Sequence, residues 1–314
     1  MDESRMYELE FPAPQLSSSD GAGPVLVHGL EGFTDAGHAV RLATKHLRQS
    51  LETELVAAFD IDGLLDYRSR RPMMTFKSDH FSDYAEPELN LYAVRDTDGT
   101  PFLLLAGLEP DLRWEQFTAA VRLLAEQFGV RRTIALNAIP MAIPHTRPLG
   151  VTAHSNNRDL IKDHQTWPGE LQVPGSVSSL LEYRMAQHGH ESLGFSVHVP
   201  HYLAQTAYPE AAQTLLENVS ENTGLQLPLA ALGEAAARVR EQVNEHIAGN
   251  PEVESVVAAL EGQYDSFVAA QEQQSPLLAS DEPLPSGDEL GAEFERFLAA
   301  QTKFDENDRP DGDD

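Results

Sequence analysis

Several common features are missing from this sequence of 314 residues, and each absence excludes a class of protein. It has no cysteine, which rules out disulfide bonds and thiolate metal sites. Lysine is also scarce: of the 22 basic residues, 18 are arginine, and this bias by itself excludes no class of protein. The 50 acidic residues bring the net charge to −28, which argues against binding to nucleic acid or to an anionic membrane.

Long apolar runs are absent as well. The longest, "FLLLAGL" at 102–108, is far shorter than the roughly 20 residues that a membrane-spanning helix needs. The first 23 residues are acidic and contain no apolar core of a secretory signal. We therefore expect a cytoplasmic protein with no membrane partner.

The glycines of "GLEGFTDAGHAV" (29–40) do not complete a nucleotide-binding motif. Gly32 and Gly37 have P-loop spacing, but His38 and Ala39 stand where the lysine and the hydroxyl residue are required. The dinucleotide pattern G-x-G-x-x-G does not fit either. The segment is interpreted as a strand-to-helix turn in which Asp35 caps the helix, while a small anion at the helix start is the alternative.

Motifs for nucleophilic or metal-dependent catalysis are also incomplete. "PGSVSSLL" (174–181) contains serines but lacks the G-x-S-x-G pattern of a nucleophile elbow. His198 and His201 are three residues apart, yet no third ligand has a suitable spacing. The sequence therefore predicts no catalytic residue, no metal and no cofactor.

Apolar patterning predicts an α/β protein. Val25–Val27 and residues 55–60 are strand-like, and apolar residues at helical spacing between 39 and 47 separate them. Strand–helix–strand units form mostly parallel sheets covered on both faces. Further strands are predicted at 73–77, 88–94, 101–107, 132–139, 150–155 and 193–200. Helices are predicted at 114–128 and 176–188.

From residue 209 onward the pattern is helical. Two apolar stripes flank "GNPE" (249–252), in which glycine can end one helix and proline can begin the next, so a helical hairpin is expected. The predicted organisation is an N-terminal extension (1–23), an α/β core (24–225), the hairpin (226–270), a linker (271–285), an amphipathic tail helix (286–301) and an acidic tail (302–314). The Leu and Phe stripe of the tail helix is expected to dock on the hairpin or on a neighbouring subunit.

Charged side chains in three loops and one strand form a candidate ligand or interface cluster. An anion could bind to arginines, and histidines could act as acid or base. The alternatives are ion pairs with the protein's own carboxylates, hydrogen bonds that fix the loops, and helix capping. The cluster comprises Arg68, Arg70, Arg71, Glu109, His145, Arg147 and His154.

Five segments together resemble the proteasome assembly chaperone family, and especially the actinobacterial relatives of the second eukaryotic assembly chaperone. They are "GLEGFTDAGHAV", "DYRSRRPMMTF", "GLEPDLRWEQF", "NAIPMAIPHTRP" and "VPHYLAQTAYPEAAQTLL". The likeness extends over about residues 20 to 260. It implies a three-layer α/β/α sandwich, related in layout to nucleoside phosphorylases and hydrolases, and a homo-oligomer, for which a trimer is our best single expectation.

The same resemblance implies a non-catalytic scaffold that binds itself and another protein. Family members often dock on the proteasome through a terminal hydrophobic–Tyr–any tripeptide, whereas residues 311–314 here contain no aromatic side chain. The alternative function is a nucleosidase- or phosphorylase-like enzyme that binds an anionic ligand at the carboxyl edge of the sheet. That alternative requires the charged cluster to line one cleft.

Overall fold

The computed structural model describes residues 6–12, 14, 16, 23–164, 166–167 and 169–273. The strands are β1 (Tyr7–Leu9), β2 (Val25–Glu31), β3 (Glu52–Phe59), β4 (Met74–Lys77), β5 (His80–Tyr84), β6 (Leu89–Arg95), β7 (Pro101–Leu108), β8 (Arg132–Met141), β9 (Val151–Ser155) and β10 (Glu191–Pro200). The helices are α1 (Ala39–Ser50), α2 (Ile61–Leu64), α3 (Trp114–Gln127), α4 (Val177–Gln187), α5 (Pro209–Thr223), α6 (Ala230–Ile247) and α7 (Pro251–Gln273).

Eight strands form one sheet in the order β1-β3-β6-β7-β2-β8-β10-β9. The four neighbouring strands β7, β2, β8 and β10 are parallel. The outer pairings, β1–β3, β3–β6, β6–β7 and β9–β10, are antiparallel. The sheet is therefore mixed, and β3 runs in the same direction as the four central strands.

Helices cover both faces of this sheet. On β2, Val25 and Val27 belong to the apolar cluster that contains α1 and α5, while Leu26 and Leu30 belong to the cluster that contains α3 and α4. Both sets of side chains are buried, as expected for a central parallel strand. The predicted three-layer α/β/α class is confirmed.

Two strands differ from the sequence prediction. Residues assigned to an N-terminal extension contribute β1, which pairs with β3, and Met6 beside it is buried. β5 was not predicted, and it pairs with β4 in a separate two-stranded ribbon. β4 agrees with the strand predicted at 73–77. β1 has only three residues at the edge of the sheet, and β5 is fully exposed, so neither buries enough apolar surface to be distinguished from a loop in the sequence.

Helices follow the α/β sandwich, as the sequence predicts. α6 and α7 are separated by residues 248–250. The chain divides into two compact units, Met1–Asp265 and Ser266–Asp314. Apart from 271–273 at the end of α7, the predicted linker, tail helix and acidic tail lie outside the described residues, as does the predicted docking of the tail helix.

Candidate functional site

An open cleft of about 430 Å³ lies at the carboxyl edge of the central strands. β2 ends there at Glu31 and β7 ends there at Leu108. Helix α1 leaves β2 on one face of the sheet, and α3 leaves β7 on the other. Open α/β sheets bind ligands where neighbouring strands send their connections to opposite faces, so this cleft is the first candidate site.

The glycine-rich turn between β2 and α1 forms one wall of the cleft. A Cβ on Gly32 would come within 2.0 Å of Glu109 Oε2, so only glycine fits under that carboxylate. Gly37 has φ +65°, a conformation that glycine adopts without strain. These two glycines are thus explained by close packing and by a turn.

Glu109 holds two loops together beneath this wall. Its side chain is buried, with Oε2 accepting a 2.8 Å bond from the Phe33 N–H and Oε1 a 2.7 Å bond from the Val177 N–H. Val177 is the first residue of α4. Glu109 therefore joins the β2–α1 turn to the start of α4, and both of its oxygens are used by the protein.

Asp35 carries the cleft's most strongly perturbed carboxyl group. Its Oδ1 accepts bonds from Val40 N at 2.7 Å and from Arg41 N at 3.4 Å, so the side chain caps the first turn of α1, although the N-cap position is occupied by His38. Burial raises the pKa of this carboxyl to about 7, and the nearby Glu31 carboxylate adds to the rise. Burial also raises the pKa of Glu31, against the opposing effect of Arg41. Clustered carboxyls with raised pKa values are typical of functional sites.

Two arginines line the same cleft, but only one is paired. Arg70 Nη2 lies 3.1 Å from Asp111 Oδ1, and Arg70 Nη1 donates a 3.3 Å bond to the Glu31 carbonyl. Arg41 forms no ion pair within 4 Å with any residue that the structure describes. Its guanidinium influences the pKa values of Glu31 and Asp35 from a distance but forms no direct ion pair with either.

The ribbon formed by β4 and β5 is a second candidate site. All of its residues are exposed, and it pairs with no other strand among those described. Phe76 and Phe81 stack edge to face with ring centroids 5.2 Å apart. The exposed large apolar side chains of this ribbon and its base are Met73, Met74, Phe76, Phe81 and Tyr84, with 44–77% of their surface accessible.

Arg68 and Arg71 lie at the base of this ribbon and are exposed. Residues 66–84 contain four arginine or lysine residues against three aspartates, in a chain whose net charge is −28. The ribbon therefore presents an apolar surface flanked by exposed arginines, on an otherwise acidic protein.

His145 and Arg147 attach their loop to the C-terminal helices. His145 is buried; its Nε2 lies 3.0 Å from Asn244 Oδ1 on α6, and its Nδ1 lies 2.7 Å from the Tyr202 hydroxyl. Arg147 pairs with Glu261 and Asp265 on α7. These carboxylates raise the pKa of the Arg147 guanidinium, and Arg147 lowers that of Asp265.

His154 lies on β9, away from the other predicted residues. Its Nδ1 is 2.9 Å from Glu182 Oε1 on α4, and its Nε2 is 3.3 Å from Ser196 Oγ on β10. The fully buried His28 is electrostatically coupled to it, and burial lowers the pKa of His28 to about 3. Neither ring nitrogen of His28 has a hydrogen-bond partner among the described residues.

The seven predicted side chains are therefore not gathered in one pocket. Arg70 alone lines the cleft; Glu109 is buried behind the glycine turn. The remaining five lie at the ribbon base, against α6 and α7, and on β9. The sequence prediction did not include Arg41, or Asp35 as more than a cap, because no motif marks them. Their place in the turn and the first helical turn that follow a strand end is the only sequence signal.

Comparison with known proteins identifies the family. A model of the PAC2 family matches residues 29–247. The structure of Rv2714, a Mycobacterium tuberculosis protein of unknown function, is 69% identical, covers 86% of this chain and 92% of that protein, and superposes with a TM-score of 0.85. A Corynebacterium glutamicum protein of unknown function is 45% identical over 84% of this chain and 98% of its own, with a TM-score of 0.81.

The chain belongs to the PAC2 family. Its fold is also that of Rv2125, a proteasome-assembly chaperone homologue from M. tuberculosis, at 24% identity, 74% coverage of this chain, 99% coverage of that one and a TM-score of 0.68. The resemblance drawn from the five sequence segments is thus confirmed. No curated protein matches the chain. No helix among the described residues is long and apolar enough to cross a membrane.

Proposed function

We propose that this PAC2 protein is a non-catalytic, chaperone-like interaction protein that works as a homo-oligomer, with a trimer as the expected size. The β4–β5 ribbon is the observation that carries the proposal. The relative named as a proteasome-assembly chaperone homologue supports a second protein as a further partner. A cytoplasmic location stays a prediction of the sequence.

The ribbon supports association because it is unstable as an isolated element. A two-stranded hairpin is at best marginally stable in water, and this one buries none of its side chains. Contiguous exposed apolar side chains mark interaction sites, and an unpaired strand edge adds backbone donors and acceptors. A partner that covers Phe76 and Phe81 and pairs with the strand edge would bury the exposed apolar surface and satisfy the free backbone groups.

Charge favours a second copy of this chain as that partner. Arg68 and Arg71 are exposed beside the ribbon and form no ion pair among the described residues, whereas the whole chain is strongly acidic. A basic element on one copy is complementary to the acidic surface of another. An element that contacts a different surface on its neighbour builds a closed ring when the rotation between copies closes, and a trimer is one such ring.

Light scattering coupled to size-exclusion chromatography tests this proposal on the full chain. The wild type is expected at a defined multiple of 34.5 kDa. The double substitution Phe76→Ser and Phe81→Ser should lower that mass to the monomer. Leu171→Ser, which changes a side chain with similar exposure away from the ribbon, is the matched control and should leave the mass unchanged.

A monomeric wild type across micromolar concentrations contradicts the proposal, as does a double variant of unchanged mass. Circular dichroism of both variants distinguishes dissociation from unfolding. Purification of the tagged chain from its native host, with the ribbon variant as control, addresses the further protein partner.

The enzymatic alternative has weaker geometric support. It requires the seven charged side chains in one cleft, and the cleft contains only Arg70 of that set. His145 and Arg147 are instead bonded to α6 and α7. We therefore do not assign this cluster the role of an enzyme site that binds an anionic substrate.

A further inference from the structure

The cleft at the carboxyl edge of the sheet has the size of a small-molecule site. Its volume of about 430 Å³ falls within the range of roughly 300–1,000 Å³ that is usual for ligand pockets. Side chains of both charges line it, including Glu31, Asp35, Arg41 and Arg70. The protein pairs some of these charges internally and leaves others without a direct partner among the described residues.

Asp35 provides an acceptor that the protein does not use. Both backbone bonds from α1 go to Oδ1, and no protein donor reaches Oδ2 within the described part of the chain. Burial raises the pKa of this carboxyl even though the Arg41 charge acts in the opposite direction, so its charged form is not fully stabilised by the protein. A ligand ammonium at Oδ2 would stabilise that charge.

Arg41 provides the complementary cation. Arg70 already binds Asp111 and the Glu31 carbonyl, so its donors are largely engaged. Arg41 and Asp35 line the same cleft, and yet their side chains do not pair within 4 Å. A ligand with two opposite charges could bridge them.

Phe33 adds an aromatic surface to the same wall. Its side chain is 63% exposed although it lies in a turn whose backbone is held by Glu109. An ammonium group is attracted to the face of an aromatic ring within about 6 Å. An exposed phenyl group on a backbone held in place, in the same cleft as the Asp35 carboxyl, suits the cationic end of a ligand.

We propose that this cleft binds a small zwitterion of the amino-acid type, with its ammonium on Asp35 and Phe33 and its carboxylate on Arg41. A ligand carrying only negative charge would face the carboxyls of Glu31 and Asp35. A ligand carrying only positive charge would face the guanidinium of Arg41. The proposal is independent of the oligomeric function, because no ribbon residue lines the cleft.

Calorimetry on the full-length protein with the twenty free amino acids tests the ligand class. The tightest binder is then compared with its methyl ester, which keeps the ammonium, and with its N-acetyl derivative, which keeps the carboxylate. Each derivative should bind about tenfold more weakly or worse, because each loses one charge-assisted hydrogen bond. Failure of every amino acid to bind overturns the proposal, as does equal binding of either derivative.

Three variants test the site. Asp35→Asn keeps an oxygen for the Val40 N–H and should lose affinity for the zwitterion, as should Arg41→Gln. Lys45→Gln, one turn further along α1 and outside the cleft, is the matched control and should bind as the wild type does. Equal loss in all three would mean nonspecific electrostatics and would overturn the assignment. Arg41 is exposed, so its variant stays informative if the Asp35 variant does not fold.

Discussion

Arg147 and Asp265 form a two-bond ion pair: Nε donates to Oδ1 and Nη2 donates to Oδ2, both at 2.8 Å. The pair joins the loop between β8 and β9 to α7. Tyr264 strengthens the same connection, since its hydroxyl donates a 3.0 Å bond to the Pro148 carbonyl. These contacts connect α7, one of the helices that follow the sandwich, to a loop of the sheet.

Replacing Arg147 with alanine should loosen α7 without unfolding the sheet. The two carboxylates at positions 261 and 265 would lose their cation, and both lie near the surface, where water partly compensates. Hydrogen exchange measured by mass spectrometry should therefore increase over 251–265 and stay unchanged in β2 and β8. Arg122→Ala, which breaks an exposed pair within α3, is the control. Uniform exchange in all three proteins would contradict this role.

Glu109→Gln should destabilise the protein by about 1–3 kcal/mol, because a glutamine amide can accept only one of the two buried N–H bonds. The second N–H would then face an NH₂ group. Urea denaturation measures the difference. The exposed Glu86→Gln substitution is the control and should change the free energy of unfolding by less than about 0.5 kcal/mol. Equal stability of the two variants would show that Glu109 does not hold these loops.

Tyr202→Phe should also cost about 1–3 kcal/mol. Because Asn244 Oδ1 is an acceptor, His145 must donate from Nε2, so its Nδ1 accepts from the Tyr202 hydroxyl. The same hydroxyl oxygen accepts the His145 backbone N–H at 2.8 Å. Removing it leaves a donor and an acceptor unpaired beside a buried ring. Tyr183→Phe is the control on an exposed tyrosine, and a Tyr202 variant as stable as that control would refute the network.

His28 should make the protein acid-sensitive. Its pKa is about 6.5 when unfolded and about 3 when folded, so between these values the unfolded state binds more protons. Stability from this residue is complete above about pH 6.5 and is lost as the pH falls toward 3. The full loss is on the order of 4–5 kcal/mol, at about 1.4 kcal/mol per pKa unit.

His28→Leu should flatten this part of the stability profile. Denaturation midpoints measured between pH 4 and 8 provide the comparison, with the exposed His188→Gln as the control. A steep acid dependence that persists in His28→Leu would assign the sensitivity to other groups.

The layered architecture of this protein follows from local patterns in the sequence. Apolar runs such as 102–108 report burial on both faces of a strand, and helical spacing in 114–128 reports one buried face. These patterns are local, because they depend only on the period of the chain. The family could also be recognised, since five segments in a fixed order are specific together. The glycine-rich segment could likewise be interpreted as a strand-to-helix turn, because the lysine and hydroxyl residue of a P-loop are visibly absent from it.

Which side chains meet in the site depends on the tertiary fold. His145 and Asn244 are 99 positions apart, and Glu109 reaches Val177 across 68 positions. Such contacts depend on strand order and loop path, which no local period encodes, so the seven predicted residues are distributed among the cleft, the space behind the glycine turn, the ribbon base, the loop packed on α6 and α7, and β9. β1 and β5 were missed for a related reason. β1 pairs with β3, which is distant in the sequence, and β5 forms an exposed local hairpin with β4, so buried apolar surface marks neither of them as a strand.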